Sequence, residues 1–148
     1  KIENLSKTKT KIEIEDIIKV TNLSENYSVF ELAENYLAKN KKKVSNILNE
    51  NNFASEECVL ILRTILNRSK RLLKLKEAQD KNNNIDLTIS SYKPPIFWKE
   101  KEVVKKQLQS WSDDDVKKVI YKINDIEILV KKNSNNSLNF ICDFVSNY

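Results

Sequence analysis

The sequence contains no glycine, no histidine and no methionine, and only two prolines and two cysteines. Phosphate-binding P-loops and dinucleotide-binding turns need backbone conformations that glycine supplies, so both are excluded. Most zinc catalytic sites and all nucleophile relays that use histidine are excluded as well. Because tight β-turns also depend on glycine, an all-β fold is disfavoured. We interpret the lack of methionine as the mark of a processed chain or of a piece of a longer protein.

The length of 148 residues is that of one ordinary domain, and the net charge is +5. This charge permits binding to nucleic acid or anionic lipid without requiring either. No apolar run approaches the roughly 18 residues that a membrane span needs, and the first residues do not have the pattern of a secretion signal. We therefore expect a cytoplasmic protein without a membrane partner. Cys58 and Cys142 lie in apolar helical patterns, which predicts reduced thiols in the core.

Apolar side chains recur at helical spacing along the chain, and this pattern predicts an all-α helical bundle with short connections. The first helix is expected over residues 12–20. Ser28 and Glu31 form a predicted capping box, in which the serine hydroxyl accepts from a backbone amide and the glutamate reaches back to the cap. Another helix is expected after the lysine-rich connection at residues 39–43.

The longest helix is predicted to be capped by Ser55 and to run to about Gln79. A loop over residues 80–84 and a short helical segment to Ser91 follow. Three more helices complete the bundle: one over residues 96–111 that starts at Pro94–Pro95, one capped by Ser112 with aspartates in its first turn, and a terminal one that opens at Ser137.

The longest helix also carries the sharpest charge asymmetry, because residues 58–76 contain six basic side chains and no acidic one. At about 100° per residue, the apolar side chains lie on one side of this helix and a basic face lies on the other. Either this face is solvated, or it contacts a partner subunit or phosphates. The candidate residues are Arg63, Lys70, Arg71 and Lys74.

Other candidate chemistries have simpler structural explanations. The carboxylates at residues 113–115 would attract a hard cation, but helix capping accounts for all three. No pattern places an acid–base pair in a pocket, so we expect no catalytic residue, no metal and no cofactor. Large aromatic residues near lysines are found on surfaces that stack nucleic-acid bases, although aromatics at helical spacing are more often core anchors. These residues are Tyr92, Phe97, Trp98 and Trp111.

The order of segments resembles the C-terminal part of the delta subunit of bacterial DNA polymerase III, a component of the clamp loader. Four pieces carry the resemblance. They are residues 12–17, similar to the start of the last helix of the lid subdomain; residues 28–37 with 41–50, similar to the first helix pair of the collar; residues 58–76, similar to the long collar helix; and residues 93–101 with 107–111, similar to the alphaproteobacterial version.

The resemblance implies that residues 1–25 are the remnant of an AAA+-like lid and that residues 26–148 are a helical collar, or oligomerisation, domain. In this family the collars of the subunits pack into a ring, and delta opens the sliding clamp without hydrolysing ATP. The implied partners are the gamma/tau ATPase subunits and delta-prime. The sliding clamp would be bound only by the missing N-terminal domain, and DNA only in the assembled complex.

The resemblance places the chain in the cytoplasm, at the replisome. There it would be a non-catalytic part of a DNA-directed DNA polymerase holoenzyme. The holoenzyme is a nucleotidyltransferase. Two other classes remain open. The first is a basic all-helical module that binds nucleic acid, whose affinity would fall steeply with salt. The second is an enzyme with an unrecognised carboxylate site, which would require a polar pocket.

Overall fold

The computed structural model describes residues 27–147, which form seven α-helices and no strand. The predicted all-α fold is confirmed for this part of the chain. The helix predicted over residues 12–20 and the proposed lid remnant lie outside the described residues. The helices are α1 (residues 27–37), α2 (Lys41–Glu50), α3 (Ser55–Asn82), α4 (Ile85–Ser91), α5 (Lys101–Ser110), α6 (Asp113–Lys132) and α7 (Ser137–Ser146), with 3₁₀ turns at Trp98–Glu100 and Ser134–Asn136.

The two longest helices, α3 and α6, pack against each other as the centre of the bundle. Contacts at both ends and in the middle show that they are antiparallel, since residues early in α3 meet residues late in α6. From one end to the other, Ser55 Oγ donates to the Ser134 carbonyl at 2.8 Å, Arg63 Nε lies 3.4 Å from Glu127 Oε1, and Lys76 Nζ lies 3.8 Å from Asp113 Oδ1.

The hydrophobic core is continuous and takes buried side chains from all seven helices. Its aromatic part joins α1 and α7 to the residue that follows α5: the Tyr36 ring lies 5.2 Å from the Phe144 ring and 6.1 Å from the Trp111 ring, measured between centroids. Burial of such large apolar surfaces is the main force that holds a bundle of this size together. The core also contains Cys58, whereas Cys142 is half-buried, and both are free thiols as predicted.

The ends of the helices agree with the sequence in some places and differ in others. Ser112 caps α6 as predicted, because its Oγ accepts from the Asp115 amide at 3.2 Å. The cap predicted at Ser55 is wrong: Ala54 is the N-cap residue, and its amide donates to the Glu57 carboxylate at 2.6 Å. The Ser55 hydroxyl is engaged instead with a carbonyl beyond the end of α6. The cap predicted at Ser28 is also wrong, since the helix already includes the preceding residue.

Helix α3 continues past Gln79 into the predicted loop and ends at Asn82. Asn83 then adopts the left-handed conformation (φ 53°), and its amide donates to the Gln79 carbonyl at 2.8 Å. Asparagine tolerates this conformation better than most residues, which explains the end of the helix without glycine. Asn84 caps α4 by accepting from the Leu87 amide at 3.1 Å, so the predicted short helix to Ser91 is confirmed.

The helix predicted over residues 96–111 is shorter than expected. It begins at Lys101, because the backbone after the prolines stays extended through Phe97 (φ −59°, ψ 134°) and then makes a 3₁₀ turn. The Lys93–Pro94 peptide bond is cis. Ile96 is buried, whereas the two aromatic residues that follow it are exposed. The segment is therefore a surface connection held by one core residue.

No helix within residues 27–147 has both the length and the apolar character that crossing a membrane requires.

Candidate functional site

The four predicted basic residues share one side of α3 but do not have the same surroundings. Lys70 and Lys74 are exposed. The Arg63 side chain is 60% exposed, and its Nε lies 3.4 Å from Glu127 Oε1. The hydrogen bond from Lys131 lowers the pKa of the Glu127 carboxyl, so this partner of Arg63 stays ionised. We call Arg63, Lys70 and Lys74 the basic stripe.

Arg71 departs from the prediction, because its side chain is only 15% exposed and is turned toward carboxylates. Together with Arg68 it forms an ion-pair cluster with Glu34 of α1 and Glu100 of the 3₁₀ turn. Two guanidinium groups face two carboxylates, so the cluster is electrically neutral. The four contacts are Arg68 Nε–Glu34 Oε1 at 2.9 Å, Arg71 Nη2–Glu34 Oε1 at 3.5 Å, Arg71 Nη1–Glu100 Oε2 at 3.4 Å and Arg68 Nη2–Glu100 Oε1 at 3.5 Å.

The ion-pair cluster is tied to α5 by Gln107, which is fully buried. Its side-chain amide donates to Glu34 Oε2 at 2.8 Å and to the Glu34 carbonyl at 3.2 Å. Residues from α1, α3 and α5 are therefore fixed to one another around one carboxylate. Sequence reasoning missed Arg68, Glu34, Glu100 and Gln107. The spacing of Arg68 and Arg71, three residues apart on a helix, was the one signal that they act together.

An open groove of about 330 Å³ lies beside the ion-pair cluster. Its walls combine an aromatic ring, Phe30, with the Pro94 ring and with the two guanidinium groups of the cluster. The Phe30 side chain is 44% exposed, so apolar surface is available next to the cationic groups. Apolar surface beside arginine is the composition found at the centre of many protein interfaces.

The four aromatic residues singled out by the sequence separate into two groups. Trp111 is a core residue and Tyr92 is half-buried. Phe97 and Trp98 are 55% and 68% exposed, so the expectation that they anchor the core is wrong for these two. Their ring centroids lie 5.9 Å apart, and Lys99 Nζ lies 5.4 Å from the Trp98 centroid. The extended backbone after the prolines is what turns them outward.

The acidic residues that follow Ser112 act in helix capping and ion pairing. Asp113 faces Lys76 at 3.8 Å, and Asp115 lies 3.9 Å from Lys118. Negative side chains in a first helical turn are stabilising because they face the positive end of the helix dipole. Within the part of the chain that the structure describes, no three histidine, cysteine or acidic side chains come together in a way that would hold a metal ion.

Comparisons with models of protein families, with curated proteins and with solved structures found no match to this chain. The residues of the chain itself therefore have to indicate its function. The basic stripe, the adjoining groove and the exposed Phe97–Trp98 pair are surfaces suited to contact with another macromolecule. The neutral ion-pair cluster beside the groove joins α3 to α1 and to the 3₁₀ turn that follows Phe97.

Proposed function

We propose that this chain is the C-terminal, collar-containing part of a clamp-loader delta subunit and that it acts by assembly. The observation that carries the proposal is the order of the four resembling segments along nearly the whole chain, including the Pro-Pro-aromatic segment at residues 94–98. In this proposal residues 1–25 end the lid, residues 26–148 form the collar, and the protein works in the cytoplasm at the replisome.

The proposed mechanism is mechanical support rather than chemistry. A helical bundle transmits the positions of attached domains because its packed core does not deform continuously. ATP hydrolysis would belong to the gamma/tau subunits, and contact with the sliding clamp would belong to the N-terminal domain of delta. This chain would have no catalytic residue and no cofactor, and it would contact gamma/tau and delta-prime.

The basic stripe and the adjoining groove support this role as a candidate subunit interface. Lys70 and Lys74 are exposed and would face acidic surface on a neighbour, which favours correct orientation and fast association. The exposed Phe30 ring would supply apolar contact area at the edge of the same interface. The ion-pair cluster would keep α1 and α3 in fixed register while the neighbour binds.

A second candidate function is binding of single-stranded nucleic acid, favoured by the exposed Phe97–Trp98 pair with Lys99 beside it. Exposed rings stack on bases of any sequence, and nearby lysines neutralise phosphates. Such binding would weaken strongly between low and physiological salt, because counterions are released from the nucleic acid. Assembly through a partly apolar interface would depend on salt much less.

Co-purification of the 148-residue chain with the cognate gamma/tau and delta-prime subunits tests the proposal. We expect retention at micromolar concentrations, and loss of the chain from the complex would overturn the clamp-loader assignment. The K70E/K74E variant should bind at least tenfold more weakly. The K106E/K117E variant changes the charge equally at exposed lysines of α5 and α6 and should bind normally. Equal weakening of both variants would contradict an interface on the basic stripe.

A further inference from the structure

Three lysines from two parts of the chain border one open groove of about 270 Å³, which we call the lysine groove. Lys39 follows α1, and Lys118 and Lys122 lie four residues apart on α6, where side chains share a helix face. The floor of the groove is formed by buried aromatic side chains, Tyr36 and Trp111. This groove is separate from the basic stripe and from the ion-pair cluster.

The lysine groove has an excess of positive charge. One carboxylate, Asp115, lines it against the three ammonium groups, and this carboxylate lies 3.9 Å from Lys118 Nζ, with both side chains at least half exposed. An exposed pair at that separation neutralises little of the field in the groove. A ligand that brings two negative charges would therefore complete the charge balance.

Two of the lysines are positioned by aromatic rings. Lys39 Nζ donates to the Ser110 carbonyl at 2.8 Å and lies 4.4 Å from the centroid of the Trp111 ring. Lys122 Nζ lies 5.8 Å from the Phe144 centroid. Cation–π contacts of this kind hold an ammonium group at an apolar surface while leaving it able to bind an anion. The groove thus presents cations that are held in place by buried aromatic rings.

The burial of the floor decides which class of ligand fits. Stacking of nucleic-acid bases needs an open ring face, but Tyr36 and Trp111 are 1% and 6% exposed. The volume is also just below the range of roughly 300–1,000 Å³ that is usual for pockets of drug-sized molecules. What remains is space for a few side chains, with three ammonium groups that can pair with carboxylates.

We propose that the lysine groove binds a short acidic segment of a partner protein. Two glutamate or aspartate carboxylates of that segment pair with the lysines. The proposal does not depend on the clamp-loader assignment, since it uses a different surface and applies to any acidic partner.

The test follows the fluorescence of Trp111, with Trp98→Phe in the background so that Trp111 is the sole indole. The probe is the peptide Glu-Glu-Leu-Glu-Glu-Leu-Glu-Glu, and the matched peptide carries glutamine in place of each glutamate. We expect saturable binding of the acidic peptide and at least tenfold weaker binding of the glutamine peptide. Absence of saturable binding, or equal binding of both peptides, would overturn the proposal.

Variants of the chain show whether the lysine groove is the binding site. K118Q/K122Q should weaken binding of the acidic peptide at least tenfold, whereas K81Q/K106Q, which removes equal charge from exposed lysines outside the groove and the basic stripe, should leave it unchanged. Equal losses in the two variants would indicate attraction to net charge and would overturn the site. Tighter binding of an oligothymidylate that displaces the peptide would assign the groove to nucleic acid instead.

Discussion

The indole N–H of Trp111 donates to the backbone carbonyl of Leu37, a bond between two buried residues that lie 74 positions apart. It joins the residue that follows α5 to the last residue of α1. Beside it, Tyr36 packs against both the Trp111 and the Phe144 rings, so α7 is included in the same cluster. The stability of this junction depends on one donor as well as on apolar area.

Replacement of Trp111 by phenylalanine keeps most of the apolar area but removes the donor. The Leu37 carbonyl would then be buried without this partner, which costs about 1–3 kcal/mol, and the smaller ring would leave space in the core. We expect the free energy of unfolding, measured by urea denaturation, to fall by about 2–3 kcal/mol. Trp98→Phe, at a side chain 68% exposed, should stay within about 0.5 kcal/mol of the parent. Equal losses would contradict the prediction.

Replacement of Ser112 by alanine removes the acceptor for the Asp115 amide at the start of α6. Loss of a serine cap costs about 1 kcal/mol. We expect a drop of that size in the free energy of unfolding. Ser90→Ala, at an exposed position inside α4, should cost nothing because alanine is the better helix former. The capping role would be refuted if the two variants lost the same stability.

The success at Ser112 and the error at Ser55 show which helix signals are local. Ser112 acts on an amide three residues ahead, so the whole interaction is contained in the sequence window that predicts it. The Ser55 hydroxyl is used by the Ser134 carbonyl, 79 positions away. Such a competitor appears only when α3 and α6 are packed. The apolar periodicity, which is local as well, was sufficient to predict the all-α fold.

The candidate site could be predicted only in part, because helical spacing is a local signal and contacts between distant segments are not. Helical spacing alone places Lys70, Arg71 and Lys74 on one side of α3. It does not show that Arg71 is withdrawn from solvent, because its partners Glu34 and Glu100 come from α1 and from the turn before α5. The exposed Phe97–Trp98 pair was not predictable from spacing either, since the backbone there is not helical.

Replacement of Arg71 by glutamine leaves Glu34 and Glu100 with one guanidinium group in place of two. The Arg71 side chain is 15% exposed, so the cost should lie between that of a surface ion pair, about 0–1 kcal/mol, and that of a broken buried pair, about 3–5 kcal/mol. We expect a loss of about 2 kcal/mol in urea denaturation. Lys70→Gln, at the neighbouring exposed residue, should change stability by less than about 0.5 kcal/mol. A larger effect at Lys70 would contradict the assignment of Arg71 to the cluster.

The stability of the chain depends on pH in the alkaline range, because burial raises the pKa of the Cys58 thiol from 9.0 to about 11. Between these values the unfolded chain has released the proton and the folded chain has kept it, so the free energy of unfolding falls as the pH rises. At about 1.36 kcal/mol per pKa unit, the fall attributable to Cys58 is about 2–3 kcal/mol. The Cys58→Ala variant lacks this pH-dependent fall, and the other ionisable groups titrate alike in the parent and in the variant. We therefore expect the stability advantage of the parent over this variant, from urea denaturation, to shrink by that amount between about pH 9 and pH 11. A constant difference across this range would disprove the linkage.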